Sequence, residues 1–220
     1  MITVWGRRNS INVQKVMWAV GELGLDHVRH DVGGSFGQLD TPQFAALNPN
    51  RLVPVLEDGD VRIYESNAIV RYLAARYGAG DQWPEDPAAR APLDQWIDWL
   101  QWAVIPLMSK AFFALNRAPR AEQQPEVAAG AAAQLGERMK LLDRHLRDCA
   151  YIGGDRFTYG DIPPGAAAYR YFNMQIDRPG LPAVERWFER LSERPAYRRH
   201  VMIPFGTCLE EWNELERRPA

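Results

Sequence analysis

A chain of 220 residues with 46% hydrophobic and 25% charged content has room for two modest domains around a sizeable core and is too apolar to remain disordered. Its formal net charge of -2, with arginines dispersed among acids, offers no field to gather nucleic acid or an anionic membrane. Two distant cysteines, no bilayer-length apolar run and no signal-peptide pattern in MITVWGRRNS lead us to expect a cytoplasmic protein without a disulfide scaffold or a membrane span.

In chain order, Ile2 to Trp5 is a short β-rich run, and Val13, Val16, Met17, Val20 and Leu23 form one apolar stripe on a helix ending at Gly24. Asp26 to Val32 is expected as a second strand. A glycine-rich loop through Gly33, Gly34 and Gly37 follows, and Thr41-Pro42 has the form of an N-cap and first helical residue. Val53-Pro54 opens another apolar run, Asp58-Gly59 suits a type I′ hairpin turn, Val61 to Tyr64 returns as a strand, and Glu65-Ser66-Asn67 starts a helix. Short strands alternating with helices and ending in a hairpin predict a compact α/β unit with a mixed four-stranded sheet.

The aperiodic, turn-rich stretch at residues 79–87 is the expected linker between a first domain at 1–78 and an all-helical second domain at 88–220. One helix is expected from Pro87 through Leu115, bent at Pro106, which lacks a backbone donor. Leu135, Met139, Leu142 and Leu146 mark another, and Pro182 and Pro195 begin two more. Thr158 and Asp161 have capping-box spacing, although Pro163-Pro164 would deprive the following helix of two donors. His27 and His30, three apart on a strand, point to opposite faces, and no metal site is expected.

The chemistry concentrates in two helix starts. Backbone N–H groups at a helix N-terminus carry partial positive charge, so Ser66 suits a carboxylate while Glu65 suits an ammonium, and together they match the head of an α-amino acid. Val53, ahead of a proline, can present its N–H and C=O to an extended peptide-like ligand. Ser10 and Asn12, where the first strand passes into the first helix, can face the same ligand. A serine hydroxyl donating to a sulfur anion would lower a thiol pKa by about one to two units. Simple N-capping is the competing role for Ser10 and Ser66.

In its Val-Pro turn, hairpin and Glu-Ser helix start, read here as Val53-Pro54 and Glu65-Ser66, the chain resembles the cytosolic glutathione transferases. The similarity runs over nearly its whole length and is strongest in residues 1–78. SINVQKV is similar both to the phi-class pattern, whose thiolate-stabilising serine corresponds to Ser10, and to the nu-class pattern, whose asparagine corresponds to Asn12. The resemblance implies a thioredoxin-like domain followed by a helical bundle, a cis Val53-Pro54 bond, a homodimer, and glutathione as co-substrate without a metal or prosthetic group. Ser10 and Asn12 would be catalytic, with Val53, Glu65 and Ser66 binding glutathione.

Leu52, Leu39 and Asp40 depart from the phi pattern, and Arg51 is the candidate to replace the missing polar contact, with Gln38 behind it. The expected reaction is attack of the thiolate on a hydrophobic electrophile, with Met108, Phe112 and Tyr169 as candidate walls of its pocket. A nu-like disulfide reductase or peroxidase, and a non-catalytic binding module on the same fold, are the alternatives.

Overall fold

The computed structural model describes residues 1–218; Pro219 and Ala220, the end of the expected second domain, lie outside the described residues. Strand β1 (Ile2–Trp5), helix α1 (Ile11–Glu22) and strand β2 (His27–His30) form a β-α-β unit with β1 and β2 parallel. After α2 (Pro42–Leu47), capped by the Thr41 hydroxyl accepting from the Phe44 amide at 3.2 Å, come β3 (Val55–Asp58), β4 (Val61–Tyr64) and α3 (Ser66–Tyr77). The sheet runs β2-β1-β3-β4, with β3 antiparallel to both neighbours.

The hairpin differs from the expected one by a single residue. Asp58 pairs with Val61, so Gly59 and Asp60 are the central residues, and only Gly59 has positive φ, at 61°. Glycine at the first central position is the pattern of a type II′ turn, whose twist suits a hairpin as well as type I′ does. Asp58 instead closes the strand and accepts from the hydroxyls of Tyr72 at 2.8 Å and Tyr77 at 2.6 Å, tying α3 to the sheet.

The helical domain follows as α4 (Pro87–Trp99), α5 (Ile105–Ala114), α6 (Pro125–His145), α7 (Ile162–Asn173), α8 (Pro182–Ser192), α9 (Pro195–His200) and α10 (Leu209–Glu216). The single bent helix expected from Pro87 to Leu115 is two helices joined by a π-helical turn, Leu100–Val104. Pro106 cannot donate and its ring crowds the preceding turn, and widening that turn by one residue relieves both constraints. The wider turn leaves Trp102 82% exposed while Leu100 and Val104 stay buried.

Pro163 and Pro164 leave α7 regular because they occupy its first turn, where amides have no intrahelical acceptor. Just before them the capping box closes: the Thr158 amide donates to Asp161 Oδ2 at 3.0 Å. Buried Asp161 also accepts from the Ile152 amide and Trp187 Nε1, both at 2.9 Å, and so anchors the start of α7 to α8.

Helix α1 is buried continuously from Val13 to Val20 because it lies between the sheet domain and the helical domain. It packs on α3 on one side and on α7 and α9 on the other. Trp18 packs against Phe157 and Tyr197, with ring centroids 5.5 and 4.6 Å away. Arg194 holds Glu22 through two bonds of 2.8 and 2.6 Å. One continuous apolar cluster therefore spans both domains and fixes the N-terminus of α1 against the helical wall.

Candidate active site

A cavity of about 330 Å³ opens where the N-terminus of α1 faces α5 and α7. Ser10, Ile11 and Asn12 form one wall, Leu52 and Val53 a second, and Met108, Phe112 and Arg170 of the helical domain a third. Ser10 stands at the N-cap position of α1, yet its side chain makes no capping bond and is buried. Its hydroxyl therefore remains available to the cavity it lines.

Asn12 is held more firmly. Its Oδ1 accepts from Lys15 Nζ at 3.0 Å and from Ser66 Oγ at 3.2 Å. With the carbonyl end occupied by two donors, the amide end is what Asn12 offers to the cavity. Lys15 Nζ also donates to Asn67 Oδ1 at 3.3 Å, and Asn67 Nδ2 reaches Gln101 Oε1 of the π-helical turn at 3.5 Å. The starts of α1 and α3 and the helical domain are thus joined in one polar network. Lys15 is fully buried, and its pKa is pushed down to about 7, first by that burial and then by the Arg170 charge, against the opposing pull of Glu65.

Val53 lines the cavity and its bond to Pro54 is cis. Among the described residues no hydrogen bond engages the N–H or C=O of Val53. Three non-glycine residues among those described have positive φ: Gln38 at 69°, Arg51 at 53° and Glu65 at 73°. Two of them directly precede a cavity residue, Leu39 or Leu52, and Glu65 precedes Ser66, which bonds Asn12. Backbone strain of this kind persists only where surrounding structure enforces it, and it gathers at ligand sites.

The candidates reach the site unequally. Ser10, Asn12 and Val53 line the cavity directly, Ser66 is linked to it through Asn12, and Glu65 is exposed at the start of α3. Arg51 lies outside the lining and pairs with Asp40 at 3.2 Å on the surface. Met108 and Phe112 form part of the wall, whereas Tyr169 is turned away to pack on Phe205, ring centroids 6.0 Å apart. One residue further along α7, a turn of about 100°, Arg170 faces the cavity in its place.

Sequence reasoning missed Lys15, Asn67 and the arginines Arg7, Arg117 and Arg170. Lys15 did leave a weak signal, a charged residue three from Asn12 and hence on the same face of α1. Among the described residues no group of three or more His, Cys, Asp or Glu side chains could hold a metal ion, and no helix is long and apolar enough to cross a membrane.

A thioredoxin-like sheet domain with a cis-proline turn, set across a cavity from a helical domain, is the architecture of the cytosolic glutathione transferases. The family models for the glutathione S-transferase N-terminal and C-terminal domains match residues 1–75 and 100–195. The chain is 39% identical over 206 residues to glutathione S-transferase GstB of Escherichia coli strain K12, covering 93% of this chain and 99% of that protein. With glutathione S-transferase 3 of Zea mays it shares 31% identity over 207 residues, covering 91% of this chain and 93% of the maize protein.

Its fold matches the crystal structure of a theta-class glutathione S-transferase from Xanthomonas axonopodis pv. citri with glutathione bound, at a TM-score of 0.90 and 45% identity over 93% of this chain and 99% of that one. The chain belongs to the glutathione S-transferase family.

Proposed function

We propose that the protein is a glutathione transferase that binds the tripeptide extended along the Val53 turn, with its sulfur at Ser10 and Asn12. The amino-acid head lies at Glu65 and Ser66, the Val53 backbone pairs with the central peptide unit, and Arg51 reaches the remaining carboxylate. The thiol proton passes to solvent. The sulfur lone pair then forms the new bond to the electrophile as the leaving group departs with the electrons of the broken bond. Glutathione is consumed as co-substrate, and no metal enters the scheme.

The observation that carries this assignment is the pairing of two uncommitted donors, the Ser10 hydroxyl and the Asn12 amide, in one cavity with the wall of Met108 and Phe112. Hydrogen bonds to a charged acceptor are worth about 1.5–3 kcal/mol, enough to favour thiolate over thiol near neutral pH. The positive end of α1 acts in the same direction. The glutathione carried by the Xanthomonas relative supports the choice of thiol. Calorimetry with glutathione, followed by a conjugation assay, tests the assignment; no binding at millimolar ligand would refute it.

The division proposed for the chain, a glutathione-binding domain at 1–78, a linker at 79–87 and a helical domain from 88, is supported by α3 ending at Tyr77 and α4 beginning at Pro87. We also propose a cytoplasmic homodimer. Exposed Trp102 and Leu52, 82% and 61% accessible, supply apolar surface for the contact. Monomeric sedimentation at micromolar concentration would exclude the dimer.

A further inference from the structure

The helical wall of the cavity is not simply apolar. Arg7 at the foot of α1 and Arg117 and Arg170 of the helical domain line the cavity, and among the described residues no aspartate or glutamate does. The carboxylate beside them, Glu216, is already engaged: Oε1 lies 2.9 Å from Arg7 Nε and Oε2 accepts from the Ser35 amide at 2.7 Å. Among the described residues no carboxylate lies within ion-pair distance of Arg117 or Arg170. Instead Arg170 donates to the Asn9 carbonyl at 2.7 Å and stacks over Phe112, 4.5 Å from the ring centroid, while Arg117 stacks over Trp212 at 4.3 Å.

Arg170 is 8% exposed, and the Nε atoms of both Arg117 and Arg170 are buried without a hydrogen-bond partner. Stacking on aromatic faces and one carbonyl offset a fraction of the cost of withdrawing two cations from water. Burial and mutual repulsion push the Arg170 guanidinium down to about 9. It therefore still carries charge at neutral pH, as arginine does in general. Both guanidinium groups border the cavity with no carboxylate partner among the described residues, and a guanidinium is a planar fork for an oxyanion.

We propose that the acceptor substrate carries an anionic group, of which a carboxylate is the type, held by Arg117 and Arg170 while its electrophilic carbon faces the glutathione sulfur. The proposal rests on transferase activity at this cavity. The glutathione carboxylates are assigned elsewhere, to the start of α3 and to Arg51, so the two arginines serve the second substrate.

A matched pair of aryl chlorides tests it: 4-chloro-3-nitrobenzoate and the neutral 4-chloro-3-nitrobenzamide. In both, the thiolate sulfur bonds to the ring carbon and chloride leaves with the pair from the C–Cl bond. Each enzymatic kcat/KM is divided by the rate constant with free glutathione, which removes the difference in intrinsic reactivity. The expected ratio favours the carboxylate by about tenfold or more, the scale of a charge-assisted contact. Arg117→Gln should bring that ratio toward one through the KM of the benzoate rather than the KM of glutathione, and Arg117→Lys should restore part of it. Rising salt should erode the benzoate advantage.

Arg117 is half-buried, so its substitution avoids the folding risk of Arg170. A ratio at or below one, or a ratio indifferent to Arg117→Gln, overturns the anionic acceptor and leaves the transferase assignment standing. Failure to turn over either chloride overturns the anionic acceptor, and only a loss of glutathione binding by calorimetry would overturn the transferase assignment as well.

Discussion

Removing the Ser10 hydroxyl separates capping from catalysis. Because that hydroxyl makes no capping bond, Ser10→Ala should cost less stability than the ~1 kcal/mol of a lost N-cap. If it donates to the bound sulfur, its loss should raise the thiol pKa by about one to two units and lower kcat/KM at neutral pH by roughly tenfold to a hundredfold. Activity should recover at alkaline pH, where the thiol ionises unaided.

Asn12→Ala behaves differently, since it strips the 3.0 Å acceptor from Lys15, which is fully buried and keeps only Asn67 at 3.3 Å, and also removes the acceptor of Ser66. An unsatisfied buried donor costs about 1–3 kcal/mol, or more when charged, which for a chain of this size lowers Tm by roughly 2–12 °C. Titrating the absorbance of bound thiolate, alongside thermal melts, measures both effects in each variant. If Ser10→Ala leaves the thiol pKa unchanged while lowering Tm by as much as Asn12→Ala does, the hydroxyl is structural and the catalytic argument fails.

Three further outcomes are expected. Gly165→Ala should lower the urea midpoint, with m unchanged, by an amount worth about 1–3 kcal/mol, because a Cβ there would lie 2.7 Å from both the Trp18 ring and Leu191 where α1 meets α7; a wild-type midpoint would mean this junction yields. His200 is held down to about 4, first by burial and then by the charges of Arg199, His27, Arg29 and Arg8. The unfolded chain binds this proton more readily, so stability should be fully present above the unfolded pKa of about 6.5, should decline as pH falls toward 4, and should decline less in His200→Gln; identical melting profiles from pH 7 to 4 would contradict this. Arg51→Ala should raise the KM for glutathione severalfold with little change in Tm, since its exposed pairing with Asp40 contributes under ~1 kcal/mol; an unaltered KM would remove Arg51 from the site.

Much of the fold was legible because its signals are local. Thr41-Pro42, the box at Thr158 and Asp161, and the prolines opening α4, α8 and α9 act through bonds spanning a few residues. The departures came from choices local signals leave open. Asp58-Gly59 is compatible with two hairpin registers, and the register adopted is the one that turns Asp58 to Tyr72 and Tyr77. Pro106 announced a disturbance, but whether a helix kinks or widens depends on what packs around it. Tyr169 and Arg170 are adjacent in sequence, and the seating of α7 on α1 decides which of them meets the cavity.

Sequence alone determined the class of fold, the family resemblance and the two helix starts that carry the candidate chemistry, because strand and helix periodicity, caps and turn residues express short-range stereochemistry. Tertiary structure decided what surrounds those helix starts: the commitment of Asn12 Oδ1 to Lys15 and Ser66, and the convergence of Arg7, Arg117 and Arg170 from three distant segments. Arg7 stands more than a hundred residues from Arg117 and Arg170 and meets them only when the domains pack, and whether a buried arginine has a partner is settled by that packing.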